Sequence, residues 1–173
     1  MSANILLETP RLWLRPLVNS DWPMYFELKT HALVQQNVGD IQSDSLIRQG
    51  FESRLPSWDK KKNQWLCLVI VLKETEEVLG VTGFLPEWEP YQQAEVGYML
   101  HPSHHRKGYG AESLRAVVQF ALEQCQFHKL KATVTEGNTA SCYLLEKLGF
   151  QKEGLLRDNF KMNGAWKNDI VYG

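Results

Sequence analysis

His105-Arg106-Lys107-Gly108-Tyr109-Gly110 sets an imidazole, two permanent cations and two glycines in six consecutive residues. That composition suits an anion. The first-turn N–H groups of a helix have no intrahelical partners and its dipole end is positive, so a helix opening here offers donors to a phosphate. Glycine lets the anion approach the backbone with no Cβ in the way, and Arg106 and Lys107 add full charges at the mouth. Gly-Tyr-Gly also reads as a plain tight turn. Two familiar phosphate loops fail on spacing. GxxxxGK[ST] puts its lysine after the second glycine, whereas Lys107 precedes Gly108. GxGxxG needs a glycine or alanine at position 113, where Ser113 stands. Kinase-like and nicotinamide-dependent chemistry both lose support.

The elements around this loop must aim it. AEVGYML (94–100) reads as a strand running into it, and the period then changes. Leu114, Val117, Val118, Ala121, Leu122 and Cys125 fall on one stripe of an amphipathic helix. RLWLRPL (11–17) alternates like a half-buried strand. Asn19-Ser20-Asp21 offers caps for a helix over 22–30, and a second helix is expected from about Ser43 to Leu55, stopped by Pro56. WLCLVIVL (65–72) reads as a strand covered on both faces. VLGVTGFL (78–85) returns as the next strand before a loop with Pro86 and Pro90. LKATVT (130–135) is a short strand, and Asn138-Thr139 caps a helix whose Leu144, Leu145 and Leu148 face inward before Gly149 ends it. The tail gives a strand and a hairpin turning at Asn163-Gly164. The pattern predicts an α/β or α+β domain over 1–173, with a mixed central sheet of six to seven strands and about four helices.

These blocks together resemble the Gcn5-related N-acetyltransferases (the GNAT superfamily), whose coenzyme A loop reads [Q/R]-x-x-G-x-[G/A]. His105-Arg-Lys-Gly108-Tyr-Gly110 matches both small positions and carries His105 at the Q/R position. EGNTASCYLLEKLGF (136–150) is similar to the superfamily's N-x-x-[AS]-x-x-L-x-x-x-G-F helix. With RLWLRPL and the closing FQKEG…NGAWKND, the likeness spans nearly the whole chain and is closest to the Rim-type enzymes that acetylate N-termini of ribosomal proteins. The resemblance implies a mostly antiparallel sheet splayed between its fourth and fifth strands, with acetyl-CoA as co-substrate. Its diphosphate would lie on His105, Arg106, Lys107, Gly108, Tyr109, Gly110 and Ala111. Its pantetheine arm would lie along Met99 and Leu100 and touch Asn138, and an N–H near Met99 or Leu100 would steady the oxyanion.

Transfer to an amine needs a base and a proton donor for the thiolate. Period-2 alternation puts Glu95, Gly97 and Met99 on one face, with Ala94, Val96 and Tyr98 on the other. Glu95 is the candidate base, directly or through water, at a position that resembles the strand-four glutamate of histone-acetylating relatives. The alternative is an ordinary strand carboxylate. Where many members place a tyrosine acid, this chain has Leu145. In Rim-type relatives a serine near the thiol, here Ser141, is the candidate donor; Ser141 also suits a bond to its own helix backbone, and Tyr143 is a less favoured donor. Freeing an α-amine at pH 7 costs about 1 kcal/mol and freeing a lysine about 4.6 kcal/mol, so a modest base favours an N-terminal acceptor.

Other features narrow the class. His101, His104 and His105 have no carboxylate or thiol beside them in sequence, so no metal is expected. Cys67, Cys125 and Cys142 are odd in number and set among apolar residues, as reduced packing thiols are. Trp58, Trp88 and Tyr91 are candidate cleft aromatics, and Glu87 and Glu89 candidate attractants for a cationic amine. A net charge of -1 gives no overall field toward nucleic acid or an anionic membrane. The opening MSANILLETPRL lacks a signal-peptide pattern, so a cytoplasmic protein is expected, as a monomer or a homodimer without a sequence signal to choose between them. The acceptor is expected to be a protein N-terminus. A small amine (polyamine, amino acid or antibiotic) is the alternative, and a non-catalytic acyl-CoA sensor a third reading.

Overall fold

The alternation in RLWLRPL forms a strand, β2 (Leu12–Pro16), with Leu12 and Leu14 fully buried. Burying each such leucine contributes roughly 1.5–3 kcal/mol. The structure, a computed structural model, describes residues 4–55 and 57–173. A short strand, β1 (Leu7–Glu8), pairs with β2, and the apolar run forms β3 (Leu66–Leu72). The chain continues through β4 (Val78–Glu87), β5 (Gln93–Leu100), β6 (Lys129–Thr135), β7 (Lys152–Met162) and β8 (Ala165–Tyr172). Among the described residues these eight strands form one sheet ordered β1-β2-β3-β4-β5-β6-β8-β7. Only β5 and β6 run parallel. The count exceeds six to seven because two residues are too few to show β1 as an alternation. The β7–β8 turn is at Asn163-Gly164, both with positive φ, as a two-residue hairpin requires.

Helices cover both faces. After a 3-10 turn over Asn19–Asp21 comes α1 (Trp22–Thr30), with Pro23 in its first turn. The Asp21 carboxylate is buried and accepts from both terminal nitrogens of Arg15 at 2.8 and 2.9 Å, which ties α1 to β2. A one-turn helix, α2 (Ala32–Gln35), was not legible from the pattern. Ser43 caps α3 (Asp44–Ser53) by accepting from the Leu46 N–H; Pro56, expected to stop it, lies outside the described residues. Leu17, Tyr25, Leu28, Phe51, Val69 and Val81 form the core on this face.

The opposite face carries α4 (Tyr109–Gln119) and α5 (Thr139–Lys147), packed through Leu114, Val117 and Leu145 on Leu14, Ile70 and Phe84. The predicted stripe of α4 holds only to Ala121. A wide i→i+5 turn closes with Cys125 N–H on Phe120 O at 3.0 Å. It rotates Phe120 inward and leaves Leu122 43% exposed. Burial pushes the Cys67 thiol up to about 12 and Cys125 up to about 11, so both stay protonated packing groups. Among the described residues no helix is long and apolar enough to cross a membrane.

The sheet opens between β5 and β6. β5 and β6 pair only at Gln93↔Lys129, Ala94↔Leu130 and Glu95↔Lys131. From Ala132 onward β6 pairs instead with β8, ending at Thr135↔Asp169. The two strands part after Glu95. This is the expected splay, at the fifth and sixth strands here because β1 adds one to the count.

Candidate active site

Three contacts fix which peptide groups of β5 face the opening. His101 N–H donates to Leu79 O at 2.9 Å, the Thr82 hydroxyl reaches Gly97 O at 3.0 Å, and a Cβ at Gly80 would strike Met99 O. Odd-numbered residues of β5 therefore turn their peptide groups to β4, and even-numbered ones turn theirs away from it. Between Met99 and Leu100, Leu100 is the residue whose N–H points into the parted side. Its carbonyl accepts from the His105 imidazole at 3.0 Å. The same phase explains why β4 runs on through Pro86: it pairs with Ala94, an even position, where no inter-strand N–H is needed.

A cavity of about 410 Å³ fills the gap. Val96, Gly97 and Tyr98 line it from β5, Leu114 and Ser141 from the helix face, and Asn37 and Asp169 from the opposite face. It thus joins the two sides of the sheet through the break.

The glycine loop lies at one end. Gly108 is the residue before α4 and is left-handed (φ 82°), as is Arg106 (φ 61°). A left-handed non-glycine costs roughly 1–2 kcal/mol, a strain that ligand clamps often carry. Arg106, Lys107 and Gly108 are exposed. No ion pair engages either cation among the described residues. Gly110 has a different task. It is buried, and a Cβ there would meet Leu144 Cδ1 at 3.0 Å and Leu100 Cδ1 at 3.5 Å, so it lets α4 and α5 close together. Half-buried Tyr109 and Ala111 flank it.

Arg11 braces the loop, a role sequence reasoning missed. Its guanidinium donates to Lys107 O at 3.0 Å and Glu112 Oε2 at 2.7 Å, and lies 4.5 Å from the Tyr109 ring centre. The Thr9 hydroxyl adds a 2.6 Å bond to Glu112. Burial raises the Glu112 carboxyl, but Thr9 and Arg11 outweigh it and hold the group below its ordinary value. No short-range spacing could reveal a contact across about a hundred residues.

Asn138, Ser141 and Tyr98 form a chain along the cavity. Asn138 caps α5: its Oδ1 accepts from the Ser141 N–H, and its Nδ2 donates to Ser141 Oγ at 3.1 Å. Ser141 Oγ lies 2.9 Å from the Tyr98 hydroxyl. Burial raises Tyr98 despite its bond to Ser141, so it stays protonated at neutral pH. Tyr98 was missed because alternation assigns it only to the core face. Leu145 lines the cavity and is 2% exposed, whereas Tyr143 is 69% exposed and points elsewhere. Cys142 packs against the main core.

Glu95 is half-buried on the face opposite Val96, with Lys131 as its register partner. Gly97, next on the same face, lines the cavity, and the Trp65 ring lies over it: a Cβ at Gly97 would meet Trp65 Cη2 at 3.3 Å. The expected cleft aromatics are elsewhere. Trp58 and Trp88 pack on Phe84 and Phe127, and Tyr91 stands 64% exposed outside the cavity lining. Glu87 is taken by Lys131 at 2.7 Å. The fold brings carboxylates to two histidines, His101 to Glu27 at 3.1 Å and His104 to Glu77 at 3.2 Å. Among the described residues no three His, Cys, Asp or Glu side chains converge as metal ligands.

A parallel strand pair that parts beside a cation-fronted helix N-terminus is the arrangement that the resemblance to acyl-coenzyme A-dependent transferases implies. The Acetyltransferase (GNAT) domain family matches residues 11–151, and the chain belongs to it. It is 30% identical over 179 residues to "Uncharacterized N-acetyltransferase YoaA" of Bacillus subtilis (strain 168), covering 96% of this chain and 94% of that protein. The same fold occurs in the ribosomal-protein-S5-alanine acetyltransferase from Vibrio fischeri (TM-score 0.80, 20% identity, 97% of this chain and 94% of that one). It also occurs in the spermidine N-acetyltransferase from Vibrio cholerae in complex with CoA and spermine (TM-score 0.80, 18% identity, 95% of each chain). The protein is an N-acetyltransferase, and acetyl-CoA is its co-substrate.

Proposed function

We propose that the protein moves the acetyl group of acetyl-CoA to the α-amino group of a protein N-terminus, with a ribosomal protein as the leading acceptor. The observation that carries this reading is the position of Glu95. It sits at the last step at which β5 pairs with β6, on the same face as Gly97, which lines the cavity, but is itself outside the cavity lining. A base so placed acts through water. It suffices for an α-amine, which costs about 1 kcal/mol to deprotonate at pH 7, better than for a lysine at about 4.6 kcal/mol.

In this reading Arg106, Lys107 and the N–H groups around Gly108 to Ala111 hold the diphosphate, with His105 at the loop entrance. The pantetheine arm lies along the open edge of β5 and beside Asn138. The amine attacks the thioester carbonyl, its proton leaves toward Glu95, and the Leu100 N–H faces the developing oxyanion; Met99, whose peptide groups turn to β4, holds that strand in register. Ser141, backed by Tyr98, gives its proton to the departing thiolate.

Acceptor type is read by thiol release with acetyl-CoA and a panel of N-terminal peptides, lysine side-chain peptides and polyamines. Faster turnover with free α-amine peptides is expected. The fold neighbour described as a spermidine N-acetyltransferase motivates the second reading, a small-amine acceptor; turnover with spermidine exceeding that with every peptide would establish it and overturn the first.

A further inference from the structure

Asp169 is the one carboxylate on the cavity wall among the described residues. It stands on β8, paired in register with Thr135, whose hydroxyl donates to Asn37 O at 2.9 Å. That places Asp169 on the α2 side of the sheet, across the break from Ser141 and Leu114. The residue is 6% exposed. Its Oδ2 accepts from Asn159 Nδ2 at 2.7 Å. Among the described residues no hydrogen bond engages Oδ1, and no cation lies within ion-pair distance. Oδ1 is not sealed from solvent, so the carboxylate keeps one oxygen open to the cavity with no protein cation to neutralise it. The same arrangement becomes favourable once a cation enters. Val38 and Phe160 line the same cavity and supply apolar wall rather than further charge.

We propose that Asp169 is the acceptor-binding residue: it receives the positive head of the incoming amine and limits the site to acceptors with a single ammonium followed by an uncharged chain. The inference rests on the acetyl-transfer reading and deepens it by naming what selects the acceptor. One carboxylate balances one ammonium. A polyamine would carry a second ammonium past Val38 and Phe160, and the cavity wall offers it no second carboxylate among the described residues. The sequence gives no hint of this residue, because Asp169 sits in KNDIVY as one polar residue of an edge hairpin and only the register of β8 turns it inward.

The test is calorimetry on the CoA-saturated protein with three probes: an alanine-initiated hexapeptide with a free amine, the same peptide N-acetylated, and spermidine. The wild type is expected to bind the free-amine peptide at least about tenfold tighter than the acetylated one, and tighter than spermidine. Asp169→Asn is expected to erase the free-amine preference, leave acetyl-CoA affinity unchanged, and keep or raise the unliganded Tm, since a buried charge is removed while the Asn159 contact is preserved in shape. Equal affinity of the wild type for the free and acetylated peptides would overturn the proposal without recourse to any variant. So would tighter binding of spermidine, or an undiminished free-amine preference in Asp169→Asn. The two levels fail separately. A charge preference without thiol release would defeat acetyl transfer and leave the anchor standing; thiol release from peptides unaffected by Asp169→Asn would do the reverse.

Discussion

The two walls of the broken sheet are built in opposite ways. The wall proposed for the coenzyme is mostly local: the glycine loop, the N-terminus of α4 and the Asn138 cap of α5 each use residues within a few positions of one another, with Arg11 as the one distant brace. The wall proposed for the acceptor is assembled from afar. Residues 37–38, Phe160 and Asp169 line it together, and the Thr135 hydroxyl donating to Asn37 O and the Asn163 N–H donating to Asp40 at 2.8 Å help join these segments. The break itself costs the backbone bonds of β5 beyond Glu95, and β8 compensates β6 but not β5.

Substitutions on each wall should separate coenzyme effects from acceptor effects. The largest change is expected for Glu95→Gln, which lowers kcat/KM by about 10²–10⁴ near pH 7 and less at higher pH, where free amine is plentiful. An unchanged pH–rate profile would remove Glu95 as base. Next, replacing Arg106 and Lys107 together by Ala raises the acetyl-CoA Kd by about 10–100-fold while leaving acceptor KM alone, and added salt narrows the gap. A shift confined to acceptor KM would put these cations on the wrong wall. Ser141→Ala is expected to cut kcat by about tenfold, with smaller effects on acetyl-CoA affinity, by removing the hydroxyl that joins Tyr98 to Asn138.

The smallest effect is on stability. Glu112 is held below its ordinary value, so its contribution is fully present above the unfolded pKa of about 4.3 and is lost as pH falls through the lower folded value. Thermal melts should therefore show the wild-type Tm falling more steeply than that of Glu112→Gln on acidification below about pH 4.5. Parallel curves would mean that the Thr9–Arg11 brace does not secure the loop.

Legibility in the sequence follows the same division. The helix over 22–30, the apolar β3 and the Asn163-Gly164 hairpin were readable because propensity, period and turn chemistry agree within short windows. So was the loop of Arg106 to Gly110, though sequence assigned both glycines to the anion, and the structure gives Gly110 to helix packing. β1 and α2 were too short to leave a period, and Leu122 faced the wrong way because a wide turn breaks the 3.6 repeat. Tyr98, Arg11, Trp65 and Asp169 needed tertiary contacts across long separations. In place of Glu87, which spends its charge on Lys131, the inward carboxylate comes from the far end of the chain.

The most direct test is a crystal structure of the protein with coenzyme A. The account predicts diphosphate oxygens at about 2.7–3.2 Å from backbone N–H groups between Gly108 and Ala111, with the pantetheine between β5 and β6. Coenzyme bound with its diphosphate away from the start of α4, or with the parted strands empty, would contradict it.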